Sequence, residues 1–107
     1  GKGFGIYRLR IAPGAAIKTH VHRVMCEHEL VLGDGLLLQN KPVGAGWAHC
    51  WPLNFPHRYD NPTDQEQTIL CVDKPPFIPD DEVAVDEPLG DLKEAAPEYY
   101  YPLESVT

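Results

Sequence analysis

Turn-forming residues interrupt this chain about every ten positions, and that rhythm narrows what it can fold into. Eleven prolines and nine glycines are spread through 107 residues. Pro13-Gly14, Gly33-Asp34-Gly35, Gly44-Ala45-Gly46 and Asn61-Pro62 are strong turn signals. Between them lie short extended runs. Tyr7, Leu9 and Ile11 alternate with Arg8 and Arg10, a period of two that gives one apolar face and turns the arginines outward. Ile17–His22, Glu29–Leu32, Leu36–Leu38, Trp47–Trp51, His57–Asp60 and Gln67–Val72 follow, with Asn40-Lys41-Pro42 expected to end the third of these. No segment before residue 80 carries a period of 3.6. Short strands at this spacing predict an all-β barrel or sandwich.

The chain is one domain long, and 43% hydrophobic with 23% charged residues is ordinary for a folded protein. No apolar run reaches the roughly 18–20 residues that cross a bilayer, and no long apolar stretch at the N-terminus resembles a secretory signal. Net charge is −7. It sits almost wholly in an acidic tail, residues 80–107, after a near-neutral barrel region, residues 1–79. An acidic chain without a basic stripe is a poor ligand for nucleic acid or anionic membrane. The tail is rich in proline and is expected to be irregular, with a short helix near Leu89–Ala96. Its Tyr99-Tyr100-Tyr101 is expected to pack on the barrel or on a partner subunit. Cys26, Cys50 and Cys71 are an odd, widely spaced set with no CxxC pair, which suits reduced thiols in a cytoplasm. Cys71, within an apolar run, reads as a small buried hydrophobe.

The chemistry concentrates in His20-Val21-His22. Residues i and i+2 of a strand share a face, so the two imidazoles project side by side. Glu27 lies at an odd separation from His22 and returns to that face only if the chain bends between Arg23 and Cys26. His57 follows Pro56 at the start of another strand. Three histidines and one carboxylate form a mixed N/O ligand set for one divalent transition metal, Fe, Mn, Ni, Cu or Zn.

These residues resemble the cupin superfamily. Gly14-x5-His20-x-His22-x4-Glu27 is similar to the first cupin motif, with Asp34, flanked by Gly33 and Gly35, where a closing glycine is usual. Gly46-x5-Pro52-x-Asn54-x2-His57-x3-Asn61 is similar to the second, with Asn54 in a glycine position. Asn tolerates left-handed backbone geometry, so that turn is expected to survive. The resemblance covers about residues 6–80. It implies a double-stranded β-helix, the cupin jelly-roll barrel, usually a homodimer, with metal held by His20, His22, Glu27 and His57. Cupins carry more sequence ahead of the first matched strand. Either the sequence is trimmed there, or the acidic tail supplies an edge.

Alternation places Glu29 inward with Glu27, as a general base or a holder of a substrate hydroxyl, and Tyr59 inward with His57, orienting substrate or filling the barrel. His28 should face away from Glu27, and His49 is expected at the surface or behind the ligands. Trp47, Trp51 and Phe55 are expected as core or pocket walls. The resemblance implies a small-molecule substrate and a choice of chemistries. A metal-dependent oxygenase, dioxygenase-like, is the first expectation. An isomerase or lyase using the metal as a Lewis acid is the second, and a non-catalytic small-molecule or sugar-binding cupin the third.

Overall fold

The computed structural model describes residues 3–76 and 78–92. The described chain is nine strands and a single 3-10 turn. The strands are β1 (Gly5–Ile11), β2 (Ala16–Val21), β3 (Cys26–Val31), β4 (Leu36–Leu38), β5 (Lys41–Val43), β6 (Ala48–Trp51), β7 (His57–Asp60), β8 (Gln67–Lys74) and β9 (Val83–Ala84), with the turn at Pro79–Asp81 between β8 and β9. They form two antiparallel sheets, ordered β1-β8-β3-β6 and β5-β4-β7-β2-β9. This is the all-β architecture expected from the turn rhythm, in the jelly-roll form that the cupin resemblance implies. Sequence neighbours rarely pair: β1 runs beside β8 and β2 beside β7, so most strand contacts close long loops.

The alternation read in the first strand is present. Tyr7, Leu9 and Ile11 face the interior, while Arg8 and Arg10 are exposed. The same rule operates on β8, where Ile69, Cys71 and Asp73 are buried. Both sheets contribute to one apolar centre that includes Ile11, Val31, Leu36, Leu38, Tyr59 and Ile69. Burial of such side chains is worth about 1.5–3 kcal/mol each.

One local reading changes. The extended run ends at Leu38 as expected, but Lys41 and Pro42 belong to a new strand rather than to the break. Gln39 and Asn40 take positive φ of 53° and 63°, and the chain reverses into β5. Pro42 is tolerated there because β5 is the sheet's edge, where no ladder N–H is needed. Asn54, at its glycine-like position, has φ 61°, as its side chain permits. Beyond residue 79 the chain stays on the barrel. β9 pairs with β2 through His20–Ala84 and Val21–Val83, covering that sheet's edge. Gly90 lies so close to the Phe55 ring that a Cβ would overlap it, and Gln39 Nε2 donates to the carbonyls of Pro56 and Gly90. Residues 89–91 are irregular. The rest of the helix expected over Leu89–Ala96, from 93 onward, and Tyr99-Tyr100-Tyr101 lie outside the described residues.

Candidate metal centre

Three imidazoles meet at one end of the barrel. His20 lies on β2 opposite His57 at the start of β7, and His22 follows the end of β2. A register shift between Ile17 and His20 breaks the simple alternation, so His20, Val21 and His22 are all buried. Ring centroids are 4.2 Å apart for His20–His57 and 5.1 Å for each of the other two pairs. Each Nδ1 sits on a backbone carbonyl: Lys18 O at 2.8 Å from His20, Asp81 O at 3.0 Å from His22, and Phe55 O at 2.8 Å from His57. A carbonyl only accepts, so each Nδ1 carries the proton and donates it, leaving each Nε2 as the ligating nitrogen.

One ligating atom from each ring lies within 4.8 Å of the other two. His57 Nε2 is buried with no hydrogen-bond partner among the described residues. Such an orphan costs about 1–3 kcal/mol, and a cation would satisfy all three nitrogens at once. The residues therefore fit a metal ion. Burial, helped by His20 beside it, pushes the His57 imidazole down to about 2, so it is neutral and ligand-ready at ordinary pH.

Glu27 reaches this cluster from the other sheet. The bend expected between Arg23 and Cys26 is present. It is held by Asp81, whose carboxylate accepts the backbone N–H groups of Arg23 at 2.9 Å, Val24 at 2.9 and 3.1 Å, and Met25 at 2.7 Å. These amides hold the Asp81 carboxyl below its ordinary range, against the upward pull of its desolvation. Glu27 Oε1 comes to 3.3 Å from His22 Nε2, and Tyr7 donates its hydroxyl to Glu27 Oε2 at 2.6 Å. Burial pulls the His22 imidazole down, but the Glu27 carboxylate outweighs it, and the group is pushed up to about 9. The field that holds a proton there would equally hold a cation.

Glu29 and Tyr59 both point inward, one layer behind Glu27. Glu29 Oε1 accepts hydrogen bonds from Trp51 Nε1 at 2.8 Å and the Tyr59 hydroxyl at 2.8 Å, with His49 Nε2 at 3.1 Å. Cys71 Sγ is 3.7 Å from its other oxygen. His49 is buried, not at the surface, and burial pushes its imidazole down to about 3. Trp51 stacks on His57 at 4.1 Å and 16°, so it forms a wall of the histidine cluster. His28 points to the outer face, as alternation required.

Several residues at the site were not singled out from sequence. Tyr7 and Asp73 were legible in principle, because alternation on β1 and β8 turns both inward. Asp73 lies opposite Glu27, and burial with that neighbour pushes its carboxyl up to about 7. Asp81 and Glu82 carried no such signal, being two acids among many in the tail. Glu82 Oε1 is 3.5 Å from His20 Nε2, and both line a half-open cleft of about 200 Å³ with Ile17, Lys18, Thr19 and Ala84. The cleft places the His20 side of the cluster nearest solvent.

A barrel of two antiparallel sheets with a buried histidine cluster at one end defines a class of β-barrels with a candidate metal centre. No family model and no curated protein sequence matches the chain. Solved structures do. A sugar phosphate isomerase from a cupin superfamily of Silicibacter pomeroyi superposes with a TM-score of 0.60 at 28% identity, over 67% of this chain and 50% of that one. A polyketide cyclase from Streptomyces resistomycificus gives 0.54 at 28% identity, over 65% and 53%. Oxalate oxidase in complex with glycolate gives 0.57 at 24%, over 66% and 41%, a likeness of fold alone. This chain thus spans about half, or less, of the length of those proteins. Fold, motif spacing and neighbours agree that the chain has the cupin barrel fold. No helix among the described residues is long and apolar enough to cross a membrane.

Proposed function

We propose that this cupin is a metal-dependent enzyme acting on a small organic molecule, with one divalent transition metal held by His20, His22, His57 and Glu27. The observation that carries the reading is the set of three buried imidazoles, each with Nδ1 on a backbone carbonyl and its ligating nitrogen turned to a shared point. A bound redox metal would supply a Lewis acid and a one-electron partner for oxygenase chemistry on a chelating substrate. The chain's own residues do the rest. The carbonyls of Lys18, Asp81 and Phe55 fix ring orientation. Tyr7 orients Glu27. Trp51 shields one side of His57 from water. Substrate enters by the cleft at His20 and Glu82. Glu29 and Tyr59 act as a buried hydrogen-bonded pair behind the ligands, keeping the Trp51 wall in place and presenting a second carboxylate to the site. Activity as a homodimer in the cytoplasm belongs to the same proposal.

A second reading has its own observation. Asp73, with a carboxyl pushed up to about 7, stands opposite Glu27 and can hold or release a proton near neutrality. That property favours isomerase or lyase chemistry at the same centre, and the similar sugar phosphate isomerase fold supports it.

Elemental mass spectrometry on protein purified without chelators tests the first step. Near-stoichiometric iron or manganese, followed by oxygen uptake with enol, thiol or catechol substrates, supports the oxygenase reading. Metal without oxygen uptake, but with proton exchange at a sugar-phosphate carbon, moves it to isomerase chemistry. Failure to bind any of the five metals after reconstitution refutes the metal centre and leaves a binding module.

A further inference from the structure

The outer face of the β1-β8-β3-β6 sheet carries a second cluster of metal-ligating atoms, distinct from the histidine centre inside. Cys26 and His28 alternate outward from β3, since Glu27 and Glu29 between and beyond them point in. Cys50 is on β6, directly opposite His28 in the ladder and diagonal to Cys26. Cys26 Sγ is 3.3 Å from Cys50 Sγ, and His28 Nε2 is 3.9 and 3.8 Å from the two sulfurs. Both cysteines are half-buried. We propose that Cys26, His28 and Cys50 form a second, zinc-type metal site on the outside of the barrel.

The geometry is quantitative. A point equidistant from the three ligating atoms lies about 2.1 Å from each, close to Zn–N distances of about 2.0–2.1 Å and Zn–S distances of about 2.3 Å. A small displacement out of that plane lengthens the sulfur contacts to the zinc value, with no change of backbone. The donor set differs from the interior one. Two thiolates and an imidazole are soft ligands that select zinc over iron or manganese, whereas three imidazoles and a carboxylate do not. Coordination releases one proton from each thiol to solvent. Three protein ligands leave a fourth position for water or an external donor. His28 also lines a depression of about 310 Å³ with Leu30, Ala48, Leu70 and Val72, so an external donor that approaches from that side is one with an apolar body.

The full-length, chelator-stripped protein is titrated anaerobically in reductant with cobalt(II), then with zinc(II). Thiolate coordination gives cobalt an intense near-ultraviolet charge-transfer absorption that an all-N/O site cannot. The site predicts that absorption in the native protein, and its loss with Cys26→Ser or Cys50→Ser. It persists in His57→Ala, which acts on the interior centre. His28→Gln, which spares both thiols, should weaken zinc at least tenfold. Thiol labelling gives an independent readout. Two thiols react without zinc and neither does with it, while the buried Cys71 serves as an unreactive internal control. An absent thiolate band in the reduced native protein overturns the proposal, as does a band that survives both serine substitutions. Quantitative Cys26–Cys50 disulfide formation in the presence of zinc also overturns it.

Discussion

Asp81→Ala is the most informative single change, because one carboxylate organises the bend that delivers Glu27. Its two oxygens receive the N–H groups of Arg23, Val24 and Met25. Arg23 and Val24 are exposed, so their amides can turn to water, and each loses a net of about 0.5–1.5 kcal/mol. Met25 is fully buried. Its amide would be left without a partner, at about 1–3 kcal/mol. The total is about 2–6 kcal/mol, and its midpoint of about 4 kcal/mol corresponds to roughly 16–32 °C in Tm for a domain of this size. The His22 Nδ1 bond is made to the Asp81 backbone carbonyl and is not itself removed. Metal affinity should still fall about 10–100-fold, the usual cost of losing an outer-shell support. Asp81→Asn keeps one acceptor oxygen and should fall between native and alanine. The carboxyl is held below its ordinary range, so its stabilisation is complete above the usual carboxylate pKa and is lost as pH falls through the lower, folded value. The Tm gap between native and Asp81→Ala should therefore close in acid. Calorimetric scans at pH 7 and in acid, with metal titration alongside, test all of this. A Tm loss under about 3 °C at pH 7, or a gap that widens in acid, would refute the clamp.

Three further outcomes follow. His57→Ala should cut metal occupancy far more than His49→Ala, because His57 offers an orphaned Nε2 and His49 is committed to Glu29; equal losses, or none from either, in elemental analysis sink the ligand assignment. Asp73 has a folded pKa raised to about 7, so it costs stability as pH climbs from the ordinary carboxylate range through 7; Asp73→Asn in stripped protein should raise Tm at pH 8, with the gain shrinking toward pH 4, and a pH-independent change in thermal scans contradicts it. Asn54→Gly should be near neutral and Asn54→Ala should cost about 1–2 kcal/mol at φ 61°, read by urea denaturation; an alanine variant as stable as glycine removes the strain argument.

The fold was legible because its signals are local. Period-two alternation and turn residues mark β1, β2, β3, β7 and β8, and once Glu27 and His57 are taken to face inward, alternation predicts that Glu29 and Tyr59 do too. The break after Leu38 was legible but the return into β5 was not, because two consecutive left-handed residues at Gln39 and Asn40 make a reversal that sequence shows only as a polar pause. The candidate ligands were picked out by motif spacing, but the residues packed behind them were not. Asp81 is separated from the amides it binds by more than fifty residues, and nothing in a run of tail acids marks which one folds back. The outer thiol cluster was hidden likewise. Cys26 and Cys50 share no short motif and meet only because β3 pairs with β6 in a particular register.

That register joins the two clusters. β3 carries Glu27 and Glu29 on its inner face and Cys26 and His28 on its outer face, four chemically distinct side chains at single-residue alternation. A slip of one residue would exchange the faces, burying thiol and imidazole and expelling both carboxylates. Register on β3 is set from both flanks by ladders to β6 and β8. It is also set from its start by the three amides on Asp81, which fix where the strand begins. Asn54→Ala strains its own turn and removes the Arg23 side-chain bond to Asn54 Oδ1, but leaves those three controls in place. Loss of the Asp81 clamp removes one of them at the residues adjoining Cys26 and Glu27. Its effects must therefore reach both faces, loosening the carboxylate's approach to His22 inside and the Cys26–Cys50 spacing outside in the same variant.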